Sequence, residues 1–273
     1  MVALLARHGA RAKLLAGGQS LVAALNFRQV APAVLIDLNA VRGLDYVRRR
    51  DDGELRIGAM TRNRTLETDP LVAAHAPLLH AALPWLAHPA IRNRGTIGGS
   101  LAYADIAAEL PAVTLAYGAR YRAVGPRGER WIEAERFFTG AFATALAGDE
   151  ILVEVAVPPA PRPGAWGFVE LSRRHGDRVL MGVSAVLALD DDGRVRSARL
   201  AYQNAAPTPL LARRAAAALA GRALDDATLA AVAALVRDEV APPGEALASP
   251  EYQRHLAGEL TVRALRQARE RAS

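Results

Sequence analysis

The chain has 273 residues, of which 51% are hydrophobic and 23% charged; it is long enough for a substantial core and has no apolar run of the roughly eighteen residues that a membrane span needs. It contains no cysteine, which excludes disulfides, thiolate catalysis and iron–sulfur ligation by its own side chains. The net charge of +6 comes from arginines scattered along the sequence, with Lys13 as the one lysine, and aromatic residues make up only 5%, so nucleic-acid binding is not expected.

Short strands and helices alternate in the first 160 residues. In chain order, the spacing of apolar residues predicts a strand at 14–16, a helix at 20–28, a buried strand at 34–38, a hairpin at 46–60, a broken helix at 71–87, a glycine-rich turn at 95–99, a helix at 105–118, a hairpin at 119–132 and a strand at 150–157. The turn Asp51-Asp52-Gly53 closes the first hairpin, and Asp105 is favoured as the N-cap of the helix at 105–118. This alternation indicates an α+β domain.

The proline-rich run at 158–164 is the best candidate for a linker. Beyond it, the pattern predicts strands at 166–171, 184–189 and 194–203, followed by helices at 210–220, 225–240 and from 249 to the C-terminus. Asp225 and Ser249 are expected as N-caps, and Gly221 as a C-terminal stop. The sequence therefore predicts an α+β domain over residues 1–160 and a smaller sheet-plus-helices domain over residues 161–273.

Two glycine-rich segments carry the chemical signal. Each places a Gly-Gly pair beside a hydroxyl residue and before a helix-like run, at 17–20 and at 96–100. Glycine lets the backbone approach a ligand and turn its N–H groups inward, while a helix N-terminus adds partial positive charge, so the pattern suits a diphosphate. Neither segment matches the Rossmann or P-loop glycine patterns. The simpler alternative is that each pair only closes a tight turn.

These segments resemble the two flavin-binding loops of the FAD subunits of molybdenum hydroxylases, a family that includes the medium subunits of carbon monoxide dehydrogenase and bacterial xanthine dehydrogenase. Residues 16–21 (Ala-Gly-Gly-Gln-Ser-Leu) resemble the first loop, and residues 91–102 (Ile-Arg-Asn-Arg-Gly-Thr-Ile-Gly-Gly-Ser-Leu-Ala) the second. Residues 104–111, 168–177 and 248–256 are similar to later family segments in the same order, so the resemblance spans nearly the whole chain.

The resemblance implies a two-subdomain FAD-binding fold of the vanillyl-alcohol oxidase type, followed by a C-terminal flavoprotein domain. The two loops would cradle the diphosphate, the carboxylate at 109 would face the cofactor, residue 152 would touch it through its backbone, and the aromatic ring at 168 would lie near the isoalloxazine. The implied cofactor-binding residues are Leu14, Leu15, Ala16, Gly17, Gly18, Gln19, Ser20, Leu21, Thr96, Ile97, Gly98, Gly99, Ser100, Glu109, Leu152 and Phe168.

The sequence departs from the family pattern at a few positions. Ile106 replaces the usual proline, and Tyr103 stands where histidine or asparagine is common. In the family a strand with an aromatic-proline element precedes the first helix, whereas Met1 already lies in that helix, so the start of the chain is expected to be truncated or misassigned. Arg92 and Arg94 flank the second loop, where they either contact phosphate or a partner subunit, or are solvated loop arginines.

The function that the resemblance implies is an FAD-binding electron-transfer subunit of a molybdenum hydroxylase. The molybdenum cofactor and the 2Fe-2S clusters would lie in a large and a small partner subunit, in a cytoplasmic dimer of heterotrimers. FAD would be bound non-covalently, because there is no cysteine and nothing favours any of the six histidines, which also lack the spacing of a metal site. No catalytic residue is expected in this chain. The alternatives are a stand-alone FAD-dependent oxidase and, last, a nucleic-acid protein; the substrate and the final acceptor (NAD, quinone or oxygen) stay open.

Overall fold

The computed structural model describes residues 1–272, and the first forty residues form a small unit around a two-stranded sheet. Its elements are α1 (Val2–His8), a 3-10 turn (Gly9–Arg11), β1 (Ala12–Leu15), α2 (Leu21–Asn26) and β2 (Val34–Asp37). β1 and β2 pair in parallel, with Ala12 opposite Val34. The strand predicted at 34–38 forms as β2, but its predicted burial was wrong for one face, because this small sheet is covered on one face only: Ile36 and Leu38 are buried, whereas Leu35 is 45% exposed.

A five-stranded antiparallel sheet in the order β3-β4-β9-β5-β6 forms the centre of the first 160 residues. All seven residues of its middle strand β9 are buried. The elements are β3 (Val47–Arg49), β4 (Leu55–Gly58), α3 (Asn63–Thr68), α4 (Pro70–His75), α5 (Pro77–Ala82), a 3-10 turn (Leu83–Trp85), α6 (Pro89–Arg92), α7 (Ile97–Tyr103), α8 (Glu109–Tyr117), β5 (Arg120–Gly125), β6 (Gly128–Glu133), α9 (Ala134–Phe137), β7 (Phe138–Gly140), β8 (Ala143–Thr144) and β9 (Ile151–Val157). All nine residues of α8 are buried, so this helix has no exposed face.

The rest of the described chain is a four-stranded antiparallel sheet with helices on one side. Its elements are β10 (Gly164–Ser172), β11 (Val179–Leu189), β12 (Val195–Gln203), β13 (Leu210–Leu211), α10 (Arg213–Ala217), α11 (Asp226–Glu239) and α12 (Pro250–Ala272). Residues such as Val183, Ala185 and Leu187 point to the core shared with α11 and α12. The alternate positions, among them Phe168 and Val186, point the other way and pack in the core of the first part. Helix α8 therefore lies directly against the second sheet.

Most of the predicted elements are confirmed. Both hairpins form, Asp225 caps α11 by accepting from the Thr228 amide, and Ser249 caps α12 by accepting from the Tyr252 amide. Gly221 has a φ of +72° but is not the stop that was expected, because α10 already ends at Ala217 and Gly221 lies in the turn that follows. None of the helices in residues 1–272 is long and apolar enough to cross a membrane.

Three further local predictions were wrong. Asp105 does not cap the helix at 105–118, since α8 begins at Glu109; its carboxylate instead accepts from the Ala107 amide and pairs with Arg178. The segment at 95–99 is only partly a turn, because α7 already begins at Ile97. The segment at 210–220 opens with an edge strand paired to β12 and ends as a helix at 217.

Candidate cofactor-binding cleft

A cleft of about 950 Å³ lies between the small N-terminal unit, α7 and the loop that leads into α8. This volume is in the range of a cofactor site. Both glycine segments line the cleft, as does the buried end of β9. The implied cofactor-binding residues found in its wall are Leu14, Ala16, Gly17, Gly18, Gln19, Ser20, Leu21, Thr96, Gly98, Gly99, Ser100, Glu109 and Leu152.

Three of the implied residues lie outside this wall. Leu15 borders a smaller cavity of about 480 Å³ on the other side of the first glycine loop. Ile97 is fully buried in the main core. Phe168 is 4% exposed and packs in the same core, with its ring centroid 6.4 Å from that of Trp85. The structure thus brings the two loops together around one cleft and keeps these side chains behind it.

The first glycine loop presents a run of unpaired backbone donors. Within residues 1–272, the N–H groups of residues 17–21 donate to no acceptor in the chain. Gly18 has a φ of +76°, which turns successive amides toward one side and is strained for any other residue. A concave run of amides of this kind is an anion-binding arrangement. The Ser20 hydroxyl beside it makes no hydrogen bond in the described chain and adds a donor.

The second glycine loop offers far fewer unpaired backbone donors than the first. The first three amides of α7 are all satisfied by the protein: Ile97 donates to Thr61 O at 3.1 Å, Gly98 to Ala59 O at 2.9 Å and Gly99 to Thr96 Oγ1 at 3.1 Å. The expectation that both helix N-termini supply free amides was therefore wrong for this loop. What it contributes to the cleft is a compact backbone and the hydroxyl of Ser100.

The glycines at 17 and 98 serve contacts within the protein. A Cβ on Gly17 would overlap the carbonyl group of Arg94, and one on Gly98 would lie 2.5 Å from the Cβ of Ala59. Gly17 therefore lets the first loop rest directly on the backbone of the second. Sequence reasoning assigned these glycines to close approach by the ligand, whereas the structure shows a close approach between the loops themselves.

Two side chains that the sequence analysis did not single out hold the loops in place. Asn39, just after β2, donates to Ala16 O at 2.9 Å. Arg62 donates to Asn39 Oδ1 at 2.7 Å and also to the carbonyl oxygen of Arg94. The chain Arg62–Asn39–Ala16 thus ties both loops to one position. No local motif marks these residues, since the contacts join segments more than twenty residues apart.

The arginines beside the second loop have different roles. Arg92 is only 6% exposed; its guanidinium binds both oxygens of Glu67, at 2.9 and 3.1 Å, and the carbonyl oxygens of Leu86 and Ala87. Arg92 thus forms a structural ion pair with Glu67. It is neither a contact for phosphate or a partner subunit nor a solvated loop arginine, the two roles considered for it. Arg94 is exposed and borders the smaller cavity.

An aromatic pair lies at the mouth of the cleft. The rings of Tyr103 and Phe142 meet edge to face with centroids 5.1 Å apart, and Phe142 is 56% exposed. Phe142 has a φ of +57°, unusual for a residue other than glycine, and its amide donates to Ala104 O at 2.9 Å. An exposed apolar ring held in this way offers a flat surface for a planar ligand. Nothing in the sequence around Phe142 indicated it.

The inner end of the cleft holds a buried acid. Glu109 is 7% exposed, stands in the first turn of α8 and forms no ion pair within residues 1–272. Burial, with a smaller contribution from the nearby carboxylate of Asp105, raises the pKa of Glu109 to about 7. Asp105 itself is paired with Arg178 at 3.0 Å. The described chain contains no group of three or more side chains that could hold a metal ion.

The fold and the cleft define an α+β protein with a cleft of cofactor size, lined by a backbone arrangement that suits an anion. Residues 1–160 match the model of the FAD-binding domain in molybdopterin dehydrogenase, and residues 166–268 match that of the carbon monoxide dehydrogenase flavoprotein C-terminal domain. The chain belongs to this family, the FAD-binding medium subunits of molybdenum hydroxylases.

Named relatives agree with this assignment. The chain is 39% identical to the 6-hydroxypseudooxynicotine dehydrogenase complex subunit alpha of Paenarthrobacter nicotinovorans, over 98% of this chain and 90% of the relative. It is 35% identical to the carbon monoxide dehydrogenase medium chain of Hydrogenophaga pseudoflava, over 97% and 91%. Among solved structures, carbon monoxide dehydrogenase from that organism superposes with a TM-score of 0.96 at 37% identity (100% of this chain, 94% of the other), and quinoline 2-oxidoreductase from Pseudomonas putida 86 with 0.93 at 36% (99% and 93%).

Proposed function

We propose that this chain binds one FAD without a covalent link and acts as the electron-transfer subunit of a molybdenum hydroxylase, an oxidoreductase complex. The observation that carries the proposal is the run of unpaired amides at residues 17–21, which faces a cleft of cofactor size in a chain of this family. These amides, with the hydroxyls of Ser20 and Ser100, would hold the diphosphate. FAD itself supplies the redox chemistry, and the protein supplies binding and orientation.

Other residues would complete the site around the flavin. The exposed ring of Phe142 and the half-buried ring of Tyr103 form the one aromatic pair in the wall of the cleft among the described residues. Glu109 and Leu152 also border the cleft. The placement of Phe168 near the isoalloxazine stays a prediction; its ring lies behind the wall. Non-covalent binding is supported because the chain has no cysteine and none of its six histidines borders the cleft.

Electrons would reach this FAD from the 2Fe-2S clusters of a small partner subunit and originate at the molybdenum cofactor of a large one. This is supported by the relatives, which are named as subunits of complexes or as medium chains, and by a sequence with no cysteine to ligate a cluster. The same relatives favour this function over a stand-alone oxidase. A dimer of heterotrimers and a cytoplasmic location complete the proposal.

We also propose that the chain divides into domains at 1–160 and 161–273, the first with the two-subdomain fold of the vanillyl-alcohol oxidase type. The family models, which match 1–160 and 166–268, support the division. So does the presence of separate cores: one centres on α8 and the five-stranded sheet, and another on α11, α12 and the second sheet.

The test is to purify the chain and measure its flavin. We expect visible flavin absorbance, or uptake of added FAD that quenches flavin fluorescence, and release of intact FAD by acid precipitation. A colourless chain that takes up no FAD would refute the proposal, and flavin that stays with the acid-precipitated protein would refute non-covalent binding. Purification of a tagged chain from its native host, followed by metal analysis, tests the complex: molybdenum and iron should co-purify in it.

A further inference from the structure

A group of buried polar side chains lies behind the cleft, where the second sheet meets α8. Glu170 of β10 is 7% exposed, and its Oε2 accepts a hydrogen bond from Gln203 Nε2 at 3.0 Å. Three buried atoms of this group have no hydrogen-bond partner in the described chain: Glu170 Oε1, Gln203 Oε1 and Ser184 Oγ. Because buried polar atoms are nearly always paired, three unpaired oxygens in one place require a physical reason.

The register of the sheet places these side chains on one face. Glu170 lies opposite Gly182, and Gly182 lies opposite Gln203 in the next strand. Ser184, two residues along, shares their face. A Cβ on Gly182 would lie within 2.8 Å of side-chain atoms of Gln203, so the missing side chain is what lets Gln203 reach across to Glu170. This face is the one that packs toward α8.

Glu109 approaches the same place from the first turn of α8. It borders the cleft, whereas Glu170 does not, so Glu109 lies between the cleft and the sheet. The two carboxyls interact: burial, together with the charge of Glu109, raises the pKa of Glu170 to about 8. We call Glu109 and Glu170 the carboxyl pair. Neither member forms an ion pair with a cation among residues 1–272.

The charged groups around the carboxyl pair do not neutralise it. Asp105, in the loop before α8, faces Glu109 and already binds Arg178. Arg199 of β12 donates to carbonyl oxygens at the opposite end of α8. Of the other elements that pack against α8 or β10, α5 carries His80 and α7 carries Tyr103. Helix α9 carries Arg136 and Glu135, and Glu135 binds Arg199. The charged residues of α12 lie beyond the other face of the sheet. Two carboxylates in such surroundings resist being ionised together.

We propose that the carboxyl pair holds one proton at neutral pH and takes up a second from solvent when a flavin bound in the cleft is reduced. This inference rests on the proposed function. In the uptake step a proton leaves water and an O–H bond forms on the remaining carboxylate, while the two electrons that go to the flavin come from the partner's reduced iron–sulfur clusters. The added negative charge in the cleft raises the proton affinity of the pair. The protonated acid becomes a donor, for which Ser184 Oγ and Gln203 Oε1 are unpaired acceptors.

The redox test compares four FAD-loaded chains: wild type, Glu109→Gln, Glu170→Gln and, as a surface control, Glu129→Gln, whose side chain is 60% exposed. The midpoint potential of the two-electron couple is measured against pH. Each additional proton per two electrons adds about 30 mV per pH unit to the slope. Near neutral pH, wild type and Glu129→Gln should therefore be steeper than the two pair variants by up to about 30 mV per pH unit.

Equal slopes in all four FAD-loaded chains would overturn the inference while leaving the proposed function intact. A slope that flattens in Glu109→Gln but not in Glu170→Gln would also overturn it, because the proton would then belong to one acid alone. A chain that binds no FAD refutes the proposed function, and with it the coupling to the flavin.

A second measurement needs no flavin, and its decisive result comes from the wild-type chain. The infrared spectrum of the wild-type chain without FAD should show the band of a protonated carboxyl at neutral pH, which ordinary glutamates have lost. The band should persist in Glu129→Gln and weaken in Glu170→Gln, where Glu109 is the remaining buried acid. Its absence from the wild-type chain at neutral pH would overturn the inference.

Discussion

The contact between the two glycine loops gives the sharpest prediction about cofactor binding. Gly17 has no positive φ, so alanine is compatible with its backbone, and only the lack of space opposes it. The added Cβ would overlap the carbonyl of Arg94 and lie 2.8 Å from the Cα of Gly95, both backbone atoms that cannot rotate away. Gly17→Ala must therefore move the first loop off the second.

Overpacking of this kind costs about 1–3 kcal/mol. If the loops must return to their present positions to bind FAD, the same energy appears as a loss of affinity of roughly 5- to 150-fold. Fluorescence titration of FAD into the chain measures it, with Gly148→Ala as the matched control. Gly148 also borders the cleft, but a Cβ there would meet nothing within 4 Å. The reasoning is refuted if Gly17→Ala binds FAD as tightly as Gly148→Ala and unfolds at the same temperature.

Three further predictions concern stability. Arg92→Ala should lower the free energy of unfolding by about 1–3 kcal/mol, because it removes the buried guanidinium that binds Glu67 and the carbonyl oxygens of Leu86 and Ala87 and leaves Glu67 with Arg64 alone; in urea unfolding, a loss under about 1 kcal/mol would contradict a structural ion pair. The raised pKa of Glu170, about 8 against an ordinary 4.5, means that the native state keeps a proton that the unfolded chain has lost, so stability should fall as pH rises between those values, by up to about 1.4 kcal/mol per pH unit. Glu170→Gln should remove that slope, and an unchanged pH profile would argue against the raised pKa. Gly182→Ala should push Gln203 away from Glu170 and cost about 1–3 kcal/mol, whereas full stability would show that Gln203 can reach Glu170 by another path.

Local signals predicted much of the fold. The turn Asp51-Asp52-Gly53 and the caps Asp225 and Ser249 act within a few residues, so the sequence contains all that determines them. The prediction that the helix starts at Asp105 failed because a second partner competes for this side chain. Arg178, 73 residues away in the sequence, binds the carboxylate that would otherwise cap the helix. The prediction of a helix from residue 210 failed for a similar reason, since pairing with β12 makes Leu210 and Leu211 an edge strand despite the helical pattern that follows.

The candidate site was predictable where it is made of one continuous segment and hidden where several segments meet. Residues 16–21 form a loop whose residue types already indicate an anion, and the structure leaves its amides free. Asn39 and Arg62 hold this loop in place through contacts between residues more than twenty positions apart, and no sequence-spacing rule predicts such contacts. The carboxyl pair joins residues 61 positions apart, 109 and 170, and follows only from the packing of α8 on the second sheet.

The two Gly-Gly pairs look alike in sequence, yet the structure gives them different tasks. The first leaves five amides unpaired, whereas the second has its amides bonded to Thr61, Ala59 and its own threonine cap. An anion in the cleft should therefore take most of its backbone hydrogen bonds from residues 17–21 and only a hydroxyl from Ser100. Phosphate affinity then resides in the first loop, and the second loop acts by holding the first in place through the contact at Gly17. A glycine pattern thus reports a close approach without saying whether the neighbour is a ligand or another part of the chain.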